Sequence, residues 1–184
     1  MLNSSAPEGK DTKYARYEHE RRFLLTDPPL EEVVRTVEIE DRYLSGTRVR
    51  LRRAVTVSDD AATSTVYKLT QKIPRADGSP GLITTFYLDV SEYETFSRLP
   101  GHCLDKTRVS VPPLGIDCFS GPLAGLYLAE AEFDTQADMD AFVPPGFVVA
   151  DVTSDVRFTG GQLAVTGRSD LRETLAEYRI ILAD

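Results

Sequence analysis

At 184 residues, with 41% hydrophobic and 27% charged content, the chain can bury one sizeable core and has an ordinary globular composition. A formal net charge of −8 argues against binding duplex nucleic acid or a membrane surface nonspecifically, since both call for a basic exterior. Cys103 and Cys118 complete no metal-ligand spacing and read as free thiols, and no apolar run reaches spanning length, so a cytoplasmic location is expected.

Residues 1–13 are polar, rich in small side chains and read as a disordered leader, with 14–184 as a single domain. Residues 14–25 predict a first strand, whose alternation puts Glu18, Glu20 and Arg22 on one face. Asp27-Pro28-Pro29 has the form of a helix start, and Leu30, Val33, Val34 and Val37 fall at helical spacing. A strand over 37–44 ends at the Ser45-Gly46 turn. In 47–55 the period is two, with Arg48, Arg50 and Arg52 on one face and Val49 and Leu51 on the other. After a polar hairpin loop, 58–64, the strand 65–73 groups Lys68, Thr70 and Lys72. A Gly/Pro/Asp-rich loop, 74–81, leads to a strand over 82–88.

Ser91 and Glu94 have the spacing of a capping box, opening a helix through Leu99 that Gly101-His102 ends. Residues 106–111 alternate, with Lys106 and Arg108 on one face. A Pro/Gly-rich connection, 112–125, precedes a strand over 126–133 that carries Glu130 and Glu132. Thr135 caps a helix over 138–142, and 151–165 read as irregular or short-helical. An amphipathic helix over 170–182 has two readings, a lid on the sheet's apolar exterior or a homodimer contact.

Five strands therefore carry charge on one face only, acids on the first and last and cations on three between. For one strand alone, a solvated sheet face is the usual explanation. Taken together, near-single-signed faces point elsewhere: like charges about 4 Å apart repel by roughly 4 kcal/mol at an effective dielectric near 20, unless an anion sits among them. The pattern favours a closed barrel with a charged interior. A polyphosphate suits such a lining, gripped bidentately by arginine and as a point charge by lysine. Oxygen ligands from the acids suit Mg²⁺ or Mn²⁺. No P-loop is present.

These residues resemble the CYTH domain, or triphosphate tunnel metalloenzyme, family. Glu18-His19-Glu20-Arg21-Arg22 matches its ExExK strand, with arginine where the family has lysine. Tyr43-Leu44, Arg48-Val49-Arg50-Leu51-Arg52, Leu69-Thr70-Gln71-Lys72, Lys106-Thr107-Arg108, Glu130-Ala131-Glu132 and Asp151-Val152-Thr153 match later motifs in the same order. The resemblance implies an α+β fold, a closed eight-stranded antiparallel β-barrel with a few peripheral helices. It implies hydrolysis of inorganic triphosphate or a small organic triphosphate. Glu18, Glu20, Glu130, Glu132 and Asp151 would hold Mg²⁺ or Mn²⁺, with Glu20 and Glu132 also positioning the attacking water. Arg22, Arg48, Arg50, Arg52, Lys68, Lys72, Lys106 and Arg108 would bind phosphates. Two alternatives stay open: an adenylate cyclase of the same fold, and a polyphosphate- or nucleotide-binding module without turnover. His19 points away from the charged face, His102 reads as a cap or solvent-exposed residue, and neither is needed for the chemistry.

Overall fold

The computed structural model describes residues 14–57, 63–74 and 81–182. The expected leader and the middles of the two expected loops, 58–62 and 75–80, lie outside the described residues. Alternating sequence and β-branched side chains yield ten strands: β1 (Arg16–Tyr17), β2 (His19–Leu25), β3 (Arg35–Leu44), β4 (Val49–Val57), β5 (Ser64–Ile73), β6 (Leu82–Leu88), β7 (Gly101–Val111), β8 (Leu114–Phe119), β9 (Tyr127–Phe133) and β10 (Ala150–Asp151). They form one antiparallel sheet in the order β1-β6-β5-β4-β3-β7-β8-β9-β2-β10. With four helices, α1 (Val90–Ser97), α2 (Gln136–Ala141), α3 (Gly160–Leu163) and α4 (Arg168–Glu177), the fold is α+β.

β1 and β2 are two parts of one extended run. Its start pairs with β6 and its remainder with β9, and between them the Glu18 amide donates to the Gly81 carbonyl at 2.9 Å. Both flanks of the sheet therefore meet on residues 16–25. Where eight strands were expected the described residues form ten, because this run is divided in two and β10 adds a short edge.

Several elements depart from the expectation. The helix expected from Leu30 to Val37 is a single 3₁₀ turn, Leu30–Glu32, after which β3 begins. Val33, Val34, Thr36 and Val37 are β-branched, and pairing with two neighbouring strands outweighs the helical spacing. The capping box at α1 belongs to Asp89 and Glu92, not to Ser91 and Glu94; Ser91 instead donates its hydroxyl to Asp89. Gly101 and His102 open β7. β8 lies inside what read as a connection. Thr135 caps α2 as expected, accepting from the Asp138 amide at 3.1 Å. The C-terminal helix stops at Glu177, and the chain then turns through Arg179, whose φ is 61°.

Period two explains how one face becomes both site and core. On β2, Glu20 and Arg22 are followed on the same face by Leu24; on β9, Glu132 and Glu130 by Leu128; on β7, Arg108 and Lys106 by Leu104. Leu24, Leu104 and Leu128 belong to a core with Phe158, Leu163, Leu171 and Leu175. Helices α3 and α4 thus seat on the apolar end of the charged face. That corrects the expectation that the last helix covers the exterior. The opposite face buries Phe23, Leu25, Val109, Ile116 and Ala129 under Phe142 and Phe147.

Candidate active site

The charged end of this face encloses a cavity of about 290 Å³. Of the expected residues, Glu18, Glu20, Arg22, Arg50, Arg52, Lys72, Lys106, Arg108, Glu130 and Glu132 all line it. A second cavity, about 340 Å³, shares Glu18, Arg50, Arg52 and Glu132 with the first and adds Arg16, Lys68, Thr70, Thr85 and Tyr87. The two make one hollow, strongly charged at the helix-covered end and milder beyond. Lys68 Nζ sits 5.2 Å over the Tyr87 ring in that milder part.

Register brings the acids together. Glu20 lies directly opposite Glu132, and Arg22 opposite Glu130. Burial pushes the Glu20 carboxyl up to about 8, helped by the charges of Glu130 and Glu18 and opposed by Lys72 and Arg22. Burial acts the same way on Glu130, but Arg108, Lys106 and Lys72 outweigh it and hold that carboxyl below the usual range. Glu130 is ion-paired to Arg108, and Glu18 to Lys72 at 2.5 Å. Glu132 is exposed and, among the described residues, has no hydrogen-bond or ion-pair partner.

The cationic wall rests on two acids that sequence reasoning missed. Asp41 on β3 is buried and accepts from Arg52 through Nε at 2.6 Å and Nη2 at 2.7 Å. Arg50 Nε stands 3.6 Å from the same carboxylate. Asp117 on β8, fully buried, accepts from Arg108 through Nε at 2.6 Å and Nη2 at 2.7 Å, and also pairs with Lys106. For Asp41, burial raises the carboxyl, but the Arg52 bond and the charges of Arg52, Arg50 and Lys106 prevail and lower it. Arg50 Nε is the one buried side-chain polar atom without a hydrogen bond among the described residues.

Three expected residues take other places. Arg22 lines the cavity, yet its Nη1 donates to the Phe158 carbonyl at 2.9 Å and its Nη2 to the Thr153 carbonyl at 2.6 Å. It fastens the segment leading into α3. Lysine has no planar fork with which to span both carbonyls. Arg22→Lys is therefore expected to cost about 1–2 kcal/mol in a urea titration. An unchanged midpoint would show the two bonds to be idle. Arg48 is exposed in the bend before β4 and lines neither cavity. Asp151 also lies outside both. Its carboxylate takes Arg21 at 2.6 Å and the Thr153 amide at 2.9 Å, and these bonds outweigh partial burial to lower its pKa. Arg21 belongs to the other face of β2, which explains the separation.

Tyr43 borders the cavity, its hydroxyl pushed up to about 12 by burial and by the Asp41 charge. A Cβ at Gly160 would fall 1.8 Å from the Tyr43 oxygen, and Gly161 lies against the same ring. Gly160→Ala must therefore displace Tyr43, with an expected loss of about 1–3 kcal/mol by thermal or urea unfolding. His19 sits 6.4 Å from the Tyr17 ring, and His102 is exposed on β7. Cys103 is exposed, Cys118 half-buried, and both are free.

Among the described residues, no helix is long and apolar enough to cross a membrane. No family model matches the chain. Over 85 residues it is 34% identical to the inorganic triphosphatase of Nitrosomonas europaea, a match covering 43% of this chain and 56% of that protein. The matched segment thus spans little more than half of that relative. Solved structures of the hypothetical protein NE1496 and of the inorganic triphosphatase NE1496 each match with a TM-score of 0.53 at 25% identity. Each match covers 82% of this chain, and 99% and 96% of the respective structures. The chain is similar to an inorganic triphosphatase in fold over most of its length and in sequence over less than half of it.

Proposed function

We propose that this protein hydrolyses inorganic triphosphate or a small organic triphosphate in the charged cavity, with the sheet curved into a tunnel around it. The observation that carries the reading is Arg50 Nε, a buried donor with no hydrogen bond and only the Asp41 carboxylate, 3.6 Å away, beside it, on a wall shared with Arg52, Lys106 and Arg108. A buried donor left unsatisfied is costly, and a phosphate oxygen at this wall supplies the missing acceptor. The similarity to an inorganic triphosphatase supports the same substrate class.

Glu18, Glu20, Glu130 and Glu132 offer oxygen donors only, the set a hard cation such as Mg²⁺ or Mn²⁺ takes. Burial, with the charges of Glu130 and Glu18, raises Glu20, and a divalent cation beside the carboxylate opposes both effects. As the side chains stand, no three acidic, histidine or cysteine groups among the described residues are gathered closely enough to hold a metal. Glu18 is turned to Lys72 and Glu130 to Arg108, so holding the cation requires both to rotate from these partners. When bound, such a cation supplies Lewis acidity at a phosphoryl oxygen and lowers the pKa of water.

The protein's own groups divide the remaining work. Arg50, Arg52, Lys106 and Arg108 hold the phosphates and meet the charge that develops on the transferred group. Glu132, without a partner, is placed to accept the proton of an attacking water. Lys72 and Lys68 extend the grip toward the milder part of the hollow.

The test is phosphate release from inorganic triphosphate, ATP and thiamine triphosphate with Mg²⁺ or Mn²⁺, wild type beside Glu20→Gln. Turnover on at least one substrate is expected, falling about 10²-fold or more in the variant. Binding of triphosphate with no release at any metal concentration would make the protein a polyanion receptor. Formation of cyclic AMP from ATP would make it a cyclase.

A further inference from the structure

Two hairpins of the sheet repeat one arrangement. In β3–β4, Asp41 lies directly opposite Arg52; in β7–β8, Asp117 lies directly opposite Arg108. Each aspartate takes the Nε and Nη2 edge of its arginine with the same pair of distances, 2.6 and 2.7 Å. Each also faces the cation two residues along, Arg50 or Lys106, which shares the arginine's strand face. Among the described residues, neither arginine has a hydrogen bond on Nη1. Both carboxylates are completely removed from solvent.

We propose that Asp41 and Asp117 are positioning residues for the triphosphate, each clamping one arginine with its Nη1 edge left for a phosphate and neutralising part of the cationic wall. This rests on the triphosphate reading above. A buried ion pair is weak support for stability, since apolar side chains of similar size often serve as well. The repeated clamp serves another purpose. Four cations on one wall repel one another and would splay without an anion. Fixed by these carboxylates, the guanidinium planes keep one direction before the substrate arrives, so little reorganisation is left for the transition state. The same carboxylates oppose the substrate's own charge. The clamp therefore weakens ground-state binding while favouring turnover, a combination that a purely structural ion pair does not produce.

Asp41→Asn separates these roles, because asparagine keeps the shape and removes the charge. Calorimetric titration with inorganic triphosphate in EDTA should show binding about tenfold tighter than wild type. With Mg²⁺, kcat should fall about 10²-fold and KM should fall with it. Affinity equal to or weaker than that of wild type overturns the proposal, whatever happens to kcat. Should the single variant not fold, Asp41→Asn/Arg52→Gln removes both buried charges together. On kcat Asp41 acts through the Arg52 plane that it clamps, so it should then add no loss of kcat beyond that of Arg52→Gln alone; a further loss overturns the assignment. If wild type binds triphosphate but releases no phosphate, the hydrolase reading fails while the affinity comparison still decides this one. If wild type binds no triphosphate, both fall.

Discussion

Asp117→Asn is expected to destabilise the fold by about 3–5 kcal/mol, because it leaves two cations in a site built around one carboxylate. The Lys106 side chain is only 6% exposed, and Arg108 20%. Of the two, Lys106 has much the less access to water. Arg108 keeps its second partner, Glu130, so the loss falls chiefly on Lys106. Urea unfolding at neutral pH measures it directly. A loss under about 1 kcal/mol would mean that water or a rotated side chain replaces the carboxylate. The corresponding change at Asp41 should cost less: Arg50 already stands 3.6 Å away, and Arg52 is the one cation it holds closely.

Glu20→Gln should remove a loss of stability that wild type suffers as pH rises. The Glu20 carboxyl, ordinarily near 4.5, is raised to about 8 by burial and by Glu130 and Glu18. A carboxyl raised in the folded state binds its proton more tightly there than in the unfolded chain. Its stabilising contribution is complete below the unfolded value and is lost as pH rises through the folded one. Between about pH 4.5 and 8, metal-free wild type should therefore lose a few kcal/mol from this group, at about 1.4 kcal/mol for each pH step of one across that window. Glutamine cannot ionise and removes that loss. Unfolding in EDTA at pH 5.5, 7 and 8.5 should show wild type weakening and the variant much flatter, so that the variant becomes the more stable protein at pH 8.5. Parallel slopes would place the proton on another group. Glu130 contributes the opposite way: its lowered carboxyl stabilises above its unfolded value, and that contribution disappears as acid protonates it.

The strands and their charged faces were legible because period two is written into the chain. Glu18-x-Glu20-x-Arg22 and Arg50-x-Arg52 declare a face without any knowledge of partners. The hidden residues are those whose meaning depends on a partner. Asp41 sits between Glu40 and Arg42, where an acid looks like ordinary surface, and becomes distinctive only opposite Arg52. Asp117 was concealed by its surroundings. Pro112, Pro113, Gly115, Gly121 and Gly125 punctuate that stretch as a connection, although Leu114 and Ile116 alternate within it as strand residues do. Arg22 was read by its spacing as a phosphate ligand, while the carbonyls that occupy it lie more than 130 residues along the chain. Asp151 was matched by motif order, and the alternation of β2 puts its partner Arg21 on the far face. The position of α4 failed for a related reason. Its apolar stripe was visible, but the apolar end of the charged face that receives it is formed by single leucines on three separate strands.

The measurement that bears most directly on the triphosphate reading is a calorimetric titration of the metal-free protein with inorganic triphosphate at two salt concentrations, repeated with Arg50→Ala. The account predicts one site per chain, weaker at high salt because the wall binds by charge, and about tenfold or more weaker without the Arg50 guanidinium. Absence of binding by wild type, or binding indifferent to both salt and Arg50, would contradict it.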